Sequence, residues 1–385
     1  MATMIRWLTN HKNPMEITAS EVLAKIEKGD PIINATIKCD LNPTVLLLSK
    51  VNGNEKFLIT SKIKMINCRF YGEVNFANTI FQEEVDFHGS QFKNCTYFNN
   101  SEFKSKAYFM GTHFCKPAQF NETKFNGVAE FSHARFYGPA YFSGKGEVPV
   151  EFDEVASFAY AQFDKLAFFS NVKFKKNVAF NWAQFRKEAR FLFSEFGEDA
   201  DFCESESNGK IVFISNSFKK LILKDSEYKK LEVPWVDIQG RLKYDGAAYQ
   251  ALVKNYNNLE WFDDADECYW QYRTTRRKEY LKGIKWAIDL IPWLFYGYGV
   301  RPKYPLILSL VVFTLSMMIF MYGFGLQEPV GSMINATYLS VIAFTSNPKT
   351  DPLTGWYELV GIIERVAGWL LMASFLVVLA KKILR

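Results

Sequence analysis

Phenylalanine recurs through the middle of this chain with a period of eleven residues. From Phe70 to Phe142 the spacing alternates between six and five, and after an irregular insert at 144–150 the rhythm resumes from Phe152 to Phe202. A small residue stands two positions before alternate phenylalanines, as at Ala107, Ala118, Ala129 and Ala140. Self-similarity at a fixed period is typical of a solenoid, in which each repeat stacks on its neighbours.

An eleven-residue period is also compatible with a right-handed coil of α-helices. The residues between the phenylalanines argue against helices, because they are rich in Asn, Gly and Thr, which are poor helix formers with strand or turn preferences. We therefore predict a β-solenoid and interpret the phenylalanines as its core.

This repeat resembles the pentapeptide-repeat family. The resemblance implies a right-handed quadrilateral β-helix in which each short face buries one large and one small residue. Two eleven-residue units then make one coil, so residues 70–218 predict about seven coils and, at about 4.8 Å each, a rod of roughly 33 Å. We place the β-helix at 66–220 and an N-terminal cap at 1–65, with a short helix at 21–28 and an irregular first coil at 33–41.

Two long apolar segments follow near the C-terminus. Residues 305–324 contain no charge over twenty positions, enough to cross a hydrocarbon core of roughly 30 Å, and residues 356–380 are equally apolar except for Glu358, Glu364 and Arg365. We predict transmembrane helices at 305–325 and 356–380. Basic residues cluster before the first segment, whereas the connection holds only Lys349, so the N- and C-termini are predicted to be cytoplasmic. We therefore expect a multi-pass protein located in the inner or plasma membrane.

The connection between these segments contains an apolar stretch at 335–345 that is too short to cross a bilayer. Such a stretch fits a re-entrant half-helix, because irregular backbone at membrane depth must line a cavity or be buried in protein. We predict a pore domain at 301–385. One subunit of it would consist of the first span, the half-helix, a short polar turn and the second span. A plain two-helix anchor with an amphipathic outer loop is the alternative.

The C-terminal region also resembles the potassium-channel-like pore-loop module with two transmembrane helices per subunit. Residues 340–345 are similar to the pore helix and filter entrance, residues 353–356 to the segment after the filter, and Gly368 falls at the family's hinge glycine. The resemblance implies an α-helical pore-loop membrane domain, a fourfold pore and an inner helix that bends at Gly368. Some pore-loop channels carry a pentapeptide-repeat region on the cytoplasmic side, an order of parts similar to this one.

The predicted selectivity filter departs from that family. Its residues are Thr345, Ser346, Asn347, Pro348, Lys349, Thr350 and Asp351. Pro348 and Thr350 replace the two glycines whose positive φ angles a potassium filter requires. We expect a wider, hydrated filter with weak preference for cations, because the half-helix would point its negative end toward the cavity. An anion-preferring pore, with Lys349 rather than Asp351 facing the axis, is the alternative.

Further residues receive predicted roles around this pore. Glu364 and Arg365 would support the filter through different partners, since adjacent helix positions face different directions. Candidates for an inner-helix gate are Phe375, Val378 and Leu379. Residues 221–280 predict a helical linker hairpin, and residues 281–300 an interfacial amphipathic helix, or else a helix packed on its own cytoplasmic domain. Within it, the Gly-Tyr-Gly string at 297–299 is interpreted as a turn.

Composition excludes several classes of function. A net charge of +5, concentrated near the apolar segments, gives no indication of nucleic-acid binding. Six cysteines without Cys-x-x-Cys spacing and four histidines indicate neither a metal site nor a cofactor. No nucleophile with a spaced base is present, so a non-enzyme is expected.

The sequence predicts an oligomeric ion channel whose partners are further copies of the chain, membrane lipid and permeating ions. A homotetramer is favoured, and a homopentamer is left open. The alternative is a non-conducting, membrane-anchored interaction scaffold.

Overall fold

The computed structural model describes residues 15–44, 56–323, 329–345 and 355–384. Of the predicted filter, Thr345 is described, whereas Ser346 to Asp351 lie outside the described residues. The chain divides into two compact units, Met1–Ala251 and Leu252–Arg385. The first is a parallel β-solenoid and the second is helical.

The solenoid has four faces, each a column of short parallel strands, and about 9 turns. Face A consists of Met15–Ile17, Ala35–Ile37, Arg69–Phe70, Gln91–Phe92, His113–Phe114, Arg135–Phe136, Gln162–Phe163, Gln184–Phe185, Glu206–Ile214 and Glu227–Glu232. Face B consists of Val74–Asn75, Thr96–Tyr97, Ala118–Gln119, Ala140–Ser143, Ala167–Ser170 and Ala189–Leu192, and continues into Glu206–Ile214.

Faces C and D complete each coil. Face C consists of Phe57–Ile59, Thr79–Phe81, Glu102–Phe103, Lys124–Phe125, Val150–Phe152, Val172–Phe174, Glu195–Asp201 and Ser217–Ile222. Face D consists of Ile32–Ile33, Ile63–Ile66, Val85–Asp86, Ala107–Tyr108, Ala129–Glu130, Ala156–Ser157 and Val178–Ala179, and continues into Glu195–Asp201. Phe92 pairs with both Phe70 and Phe114, so two eleven-residue units make one coil, as predicted.

Stacked phenylalanine rings fill the solenoid. Phe142 lies parallel to Phe120 and Phe169, with ring centroids 4.9 Å away in each case. It meets Phe131 of another face edge to face, at 5.6 Å and 89°. These are the offset and T-shaped geometries that aromatic quadrupoles favour. All four of these rings are inaccessible to solvent, so the prediction of a phenylalanine core is confirmed.

The coils extend beyond the phenylalanine repeat at both ends. Strand Met15–Ile17 pairs with Ala35–Ile37, which pairs in turn with Arg69–Phe70. After residue 220, Glu227–Glu232 pairs with Glu206–Ile214. These added strands explain why the solenoid has about 9 turns, whereas the repeat alone predicts about seven. Helix α1 (Ala19–Lys28) lies between the first two strands and begins with a capping box formed by Thr18 and Glu21.

One corner of the solenoid carries an exposed column of aromatic rings. His133, Tyr160 and Trp182 occupy equivalent positions in successive coils, each with φ between 56° and 59°. Tyr160 stacks on His133 at 4.7 Å and on Trp182 at 5.9 Å. Bulky side chains seldom adopt this left-handed conformation, which Gly and Asn adopt readily. The coil geometry, rather than local preference, therefore sets the backbone here.

Helices make up the rest of the described chain. They are α2 (Trp235–Ile238), α3 (Gly246–Asn258), α4 (Phe262–Thr275), a π-helical turn (Arg276–Tyr280), α5 (Gly283–Tyr296), a 3₁₀ turn (Gly297–Gly299), α6 (Lys303–Tyr322), α7 (Met333–Thr345) and α8 (Trp356–Ile383). By length and composition, α6 and α8 could each cross a membrane, while α7 is apolar but shorter.

Helices α6, α7 and α8 pack against one another. Phe320, Ala336, Ala343 and Tyr357 form a buried cluster among them, in which the Phe320 and Tyr357 rings meet edge to face at 5.4 Å. The buried positions of α8 follow a single stripe: Tyr357, Gly361, Glu364, Gly368, Leu371 and Val378. This spacing of three and four places one side of α8 against its neighbours and leaves the other sides exposed.

Candidate functional site

A carboxyl group lies buried where the three apolar helices meet. Glu364 of α8 is 1% exposed, and the Ser340 hydroxyl of α7 donates a hydrogen bond to its Oε1. Ser340 Oγ also lies 3.3 Å from the Phe313 carbonyl oxygen of α6. Burying an ionisable side chain in an apolar segment costs free energy, so its presence indicates a functional or structural role beyond packing. Through Ser340, this site connects the short helix α7 to both α6 and α8.

A glycine allows the end of α7 to approach α8 closely. A Cβ atom at Gly368 would lie 2.9 Å from the Phe344 carbonyl oxygen and 3.3 Å from its ring. Any side chain would therefore push the last turn of α7 away. Helix α8 runs without interruption through this position. The structure thus gives Gly368 a packing role, and its predicted role as a hinge stays a prediction.

The other predicted site residues are spread along α7 and α8. Thr345 is the last residue of α7, where its hydroxyl donates to the Val341 carbonyl oxygen at 2.6 Å. Arg365 is half-buried and, unlike Glu364, lies outside the buried stripe. Among the gate candidates, Val378 is buried inside the protomer, whereas Phe375 and Leu379 are half-buried. Among the predicted residues, Glu364 accepts a hydrogen bond from Ser340 of α7, and Gly368 lies against Phe344 of α7.

A free apolar surface covers the side of α8 away from α7. Ile363, Val366, Leu370 and Val377 are 61%, 52%, 57% and 70% exposed. They recur at three, four and seven residues, so they form a continuous stripe. A soluble surface rarely carries an apolar stripe of this length, so this face requires lipid or another protein surface.

Sequence reasoning missed a polar network near the start of α6. Tyr298 donates its hydroxyl to Asp289 at 2.5 Å and accepts a hydrogen bond from Arg277 at 3.0 Å, while Arg273 bonds the other oxygen of Asp289 at 2.5 Å. The Arg277 guanidinium also lies 4.3 Å over the Trp293 ring. The network fastens α5 to α4 and the π-helical turn. The sequence did contain a signal for this network: two arginines stand four residues apart, and the apolar helix that follows them holds one aspartate.

The Gly-Tyr-Gly string, predicted to be a turn, supplies the tyrosine of this network. Gly297 ends α5 with φ of 55°, a conformation suited to glycine. Burial and the hydrogen bond to Asp289 raise the pKa of Tyr298. Burial alone would raise the pKa of Asp289, but the hydrogen bonds from Tyr298 and Arg273 outweigh it and lower that pKa. The aspartate is therefore ionised and paired at neutral pH.

Acidic residues of α4 reach both apolar spans. Glu267 accepts two hydrogen bonds of 2.6 Å from Arg301, just before α6. Asp263 and Asp266 pair with Lys382 and Lys381, in the last turns of α8, at 3.5 and 4.0 Å. One short helix thus contacts the first turn of one span and the last turn of the other.

Other chemistry finds little support in the part of the chain that the structure describes. Within those residues, no group of three or more His, Cys, Asp or Glu side chains could hold a metal ion. All six cysteines are free thiols. Burial raises the pKa of Cys68 and of Cys203 to about 11, so both are protonated at neutral pH and are weak nucleophiles.

Comparison with known families identifies the repeat. Residues 76–122 match the family model described as pentapeptide repeats (9 copies). No ion-channel family was matched by the C-terminal region. A search of curated proteins found no match for the chain. The chain therefore contains pentapeptide repeats wound into a parallel β-solenoid, followed by a helical region with two apolar helices long enough to span a membrane.

Proposed function

We propose that this protein is a subunit of an oligomeric ion channel with weak preference for cations. Helices α6 and α8 cross the membrane in this proposal, α7 is the re-entrant pore helix, and residues 345–351 form the filter. The solenoid is the cytoplasmic domain that serves assembly or gating. The protein itself has no catalytic role in this account, and its partners are further copies of the chain, lipid and the permeating ions.

The observation that carries the proposal is the position of α7. This helix has 13 residues, about 20 Å at 1.5 Å per residue, which is too short to cross a bilayer. It nevertheless packs against both long helices and is held to them by buried polar contacts through Ser340 and Glu364. An apolar loop lying on a surface would need no such anchoring. A re-entrant pore helix does need it, because its depth sets the position of the filter.

The exposed apolar stripe on α8 supports an assembly. One protomer leaves Ile363, Val366, Leu370 and Val377 uncovered. Fourfold symmetry would place copies of α8 around an axis and cover part of this surface with lipid and part with neighbouring subunits. Four is favoured by the resemblance to pore-loop channels, and five remains the alternative.

Cation preference follows from the direction of α7. Its C-terminal end, at Thr345, leads into the filter segment, and a helix C-terminus carries partial negative charge. If that end faces the cavity, it favours cations. Pro348 and the absence of the two filter glycines argue against a row of potassium sites.

Recording from purified protein in planar bilayers tests the proposal. We expect single-channel currents whose reversal potential in asymmetric KCl lies on the cation side but short of the ideal cation value. Replacing Pro348 by Gly and Lys349 by Tyr should change selectivity or conductance, whereas Lys145→Tyr, in an exposed turn of the solenoid, should change neither. No current under varied voltage, pH and lipid would instead favour the membrane-anchored scaffold. A reversal potential on the anion side would establish the anion-preferring pore.

A further inference from the structure

Helix α4 holds the ends of both apolar spans through carboxylates on one face. Asp263 lies three residues before Asp266 and four before Glu267, so each of these two carboxylates is a neighbour of Asp263 on the helix surface. Glu267 pairs with Arg301 before α6, and the two aspartates pair with Lys381 and Lys382 at the end of α8. The start of one span and the end of the other are thus joined to a common element.

The attachment to α6 is the stronger of the two. Both oxygens of Glu267 accept hydrogen bonds of 2.6 Å from Arg301, the bidentate geometry of the strongest ion pairs in proteins. The Arg301 guanidinium also lies 5.1 Å over the Trp270 ring. Behind it, the Tyr298, Asp289, Arg273 and Arg277 network fixes α5 and the turn to α4. The start of α6 is therefore fixed at several points.

The attachment to α8 is weaker. Lys382 lies 3.5 Å from Asp263, whose side chain is 94% exposed, and Lys381 lies 4.0 Å from Asp266. The exposed Lys382–Asp263 pair contributes little to stability and is weakened by salt. Asp266 is buried, with a side chain 9% exposed, but its 4.0 Å separation from Lys381 is long for an ion pair. Both of these contacts are made by lysine, whose ammonium group lacks the planar fork of the Arg301 guanidinium.

A cavity adjoins the weaker attachment. It has a volume of about 160 Å³ and is lined by Val253, Asn257, Ala265, Asp266, Tyr269, Val300 and Lys381. At about 30 Å³ per water molecule, it has room for several waters. The Lys381 side chain can therefore exchange its carboxylate partner for water without displacing packed apolar groups.

We propose that Asp263 and Asp266, with Lys381 and Lys382, form an ionic latch that holds the end of α8 in one position. Release of the latch lets the end of α8 move while the start of α6 stays fixed on α4. This inference rests on the proposed pore and names its regulation: the held position is the closed one. Conditions that weaken exposed ion pairs, such as raised ionic strength, favour opening.

A charge-reversal series in full-length protein tests the latch. Lys382→Glu should raise the ratio of open to closed channel about two- to fivefold per subunit, the range expected for one exposed ion pair. The double variant Lys382→Glu with Asp263→Lys should restore the original ratio, because the pair re-forms with exchanged charges. The matched control is Lys285→Glu, an exposed lysine of α5 with the same change of charge.

Hydrogen exchange of the last turn of α8 provides a readout that does not depend on current. Lys382→Glu should speed exchange there relative to Lys285→Glu, and Asp263→Lys should reverse the effect. If currents flow but neither exchange nor gating distinguishes Lys382→Glu from the control, the latch is wrong and the pore stands. If no variant conducts but exchange follows the charge series, the pore is wrong and the latch stands as a conformational lock.

Discussion

The two units of this protein differ in the side chains that they leave exposed. In the solenoid, rings such as Phe131 and Phe142 are inaccessible and the strands present polar side chains outward. In the helical unit, Ser340 and Glu364 are buried, whereas Leu370 and Val377 are more than half exposed. Water drives the phenylalanines of the solenoid inward. In the proposed membrane location of α6 and α8, lipid would accept apolar side chains on the outside and leave polar groups to pair inside.

Removing a core ring of the solenoid should have the largest effect. Phe142→Ala deletes a ring that stacks on two others and leaves a cavity between coils, so we expect a loss of about 3–5 kcal/mol in the free energy of unfolding. Denaturant unfolding followed by the β-sheet circular dichroism signal measures it. Phe193→Ala is the control, because that ring is 64% exposed. Equal losses for both variants would contradict the assignment of the core.

Breaking the network beside α6 should cost somewhat less. Asp289→Asn leaves Arg273 and Arg277 without the carboxylate, and we expect a loss of about 2–3 kcal/mol, below the value for fully buried pairs because Arg273 is partly exposed. Thermal unfolding of the helical unit in detergent measures this loss, with the exposed Glu279→Gln as control.

The same variant predicts a pH dependence. Because the folded-state pKa of Asp289 is lowered, its contribution is present above the unfolded value of about 3.9 and is lost as pH falls through the lower folded value. The difference in stability between the original protein and Asp289→Asn should therefore be constant near neutral pH and shrink in acid. A difference that instead shrinks as pH rises from 7 to 9 would contradict the assigned pair.

At the buried carboxyl group of the helical unit, two substitutions of Glu364 should have different effects. Glu364→Gln keeps an oxygen that can accept the Ser340 hydrogen bond and should be nearly neutral, whereas Glu364→Ala removes the acceptor and should cost about 1–3 kcal/mol. Melting of the detergent-solubilised assembly measures both. If Gln and Ala are equally harmful, the hydrogen bond is not what holds α7.

The smallest effect is expected at the exposed corner of the solenoid. Trp182→Asn exchanges an exposed ring that stacks on Tyr160 for a residue that favours the left-handed backbone. The free energy of unfolding should therefore change by less than about 0.5 kcal/mol. Phe180→Asn, two residues earlier but fully buried, should lose several times more. A large loss in the free energy of unfolding for Trp182→Asn would mean that the exposed ring column stabilises the fold.

The sequence predicted those features that repeat or that depend on composition. The eleven-residue spacing predicted the repeat, because every coil must bury the same kind of side chain at the same position. The resemblance to pentapeptide repeats added that two such units make one coil. The apolar segments at 305–325 and 356–380 correspond to α6 and α8, at Lys303–Tyr322 and Trp356–Ile383. The phenylalanine spacing does not count the first coils, because they bury isoleucine and alanine instead of phenylalanine, as at Ile32 and Ala35. At that end the sequence predicted an irregular first coil at 33–41.

Features that depend on convergence of distant residues could not be predicted. Glu364 stood out as a charge in an apolar segment, but its partner Ser340 is an unremarkable serine until α7 is placed against α8. Gly368 likewise suggested a hinge, and its close contact with Phe344 appears only once both helices are packed. Pairing of Arg301 with Glu267 joins residues 34 positions apart, with no periodic pattern to connect them.

Electron microscopy of the purified assembly tests the central proposal most directly. Class averages and a reconstruction would show how many copies surround an axis and where α7 lies relative to it. The account predicts four copies, with the C-terminal end of α7 at Thr345 pointing toward the axis and α8 lining the vestibule. A monomer, or an assembly in which Thr345 faces lipid far from any symmetry axis, would contradict it.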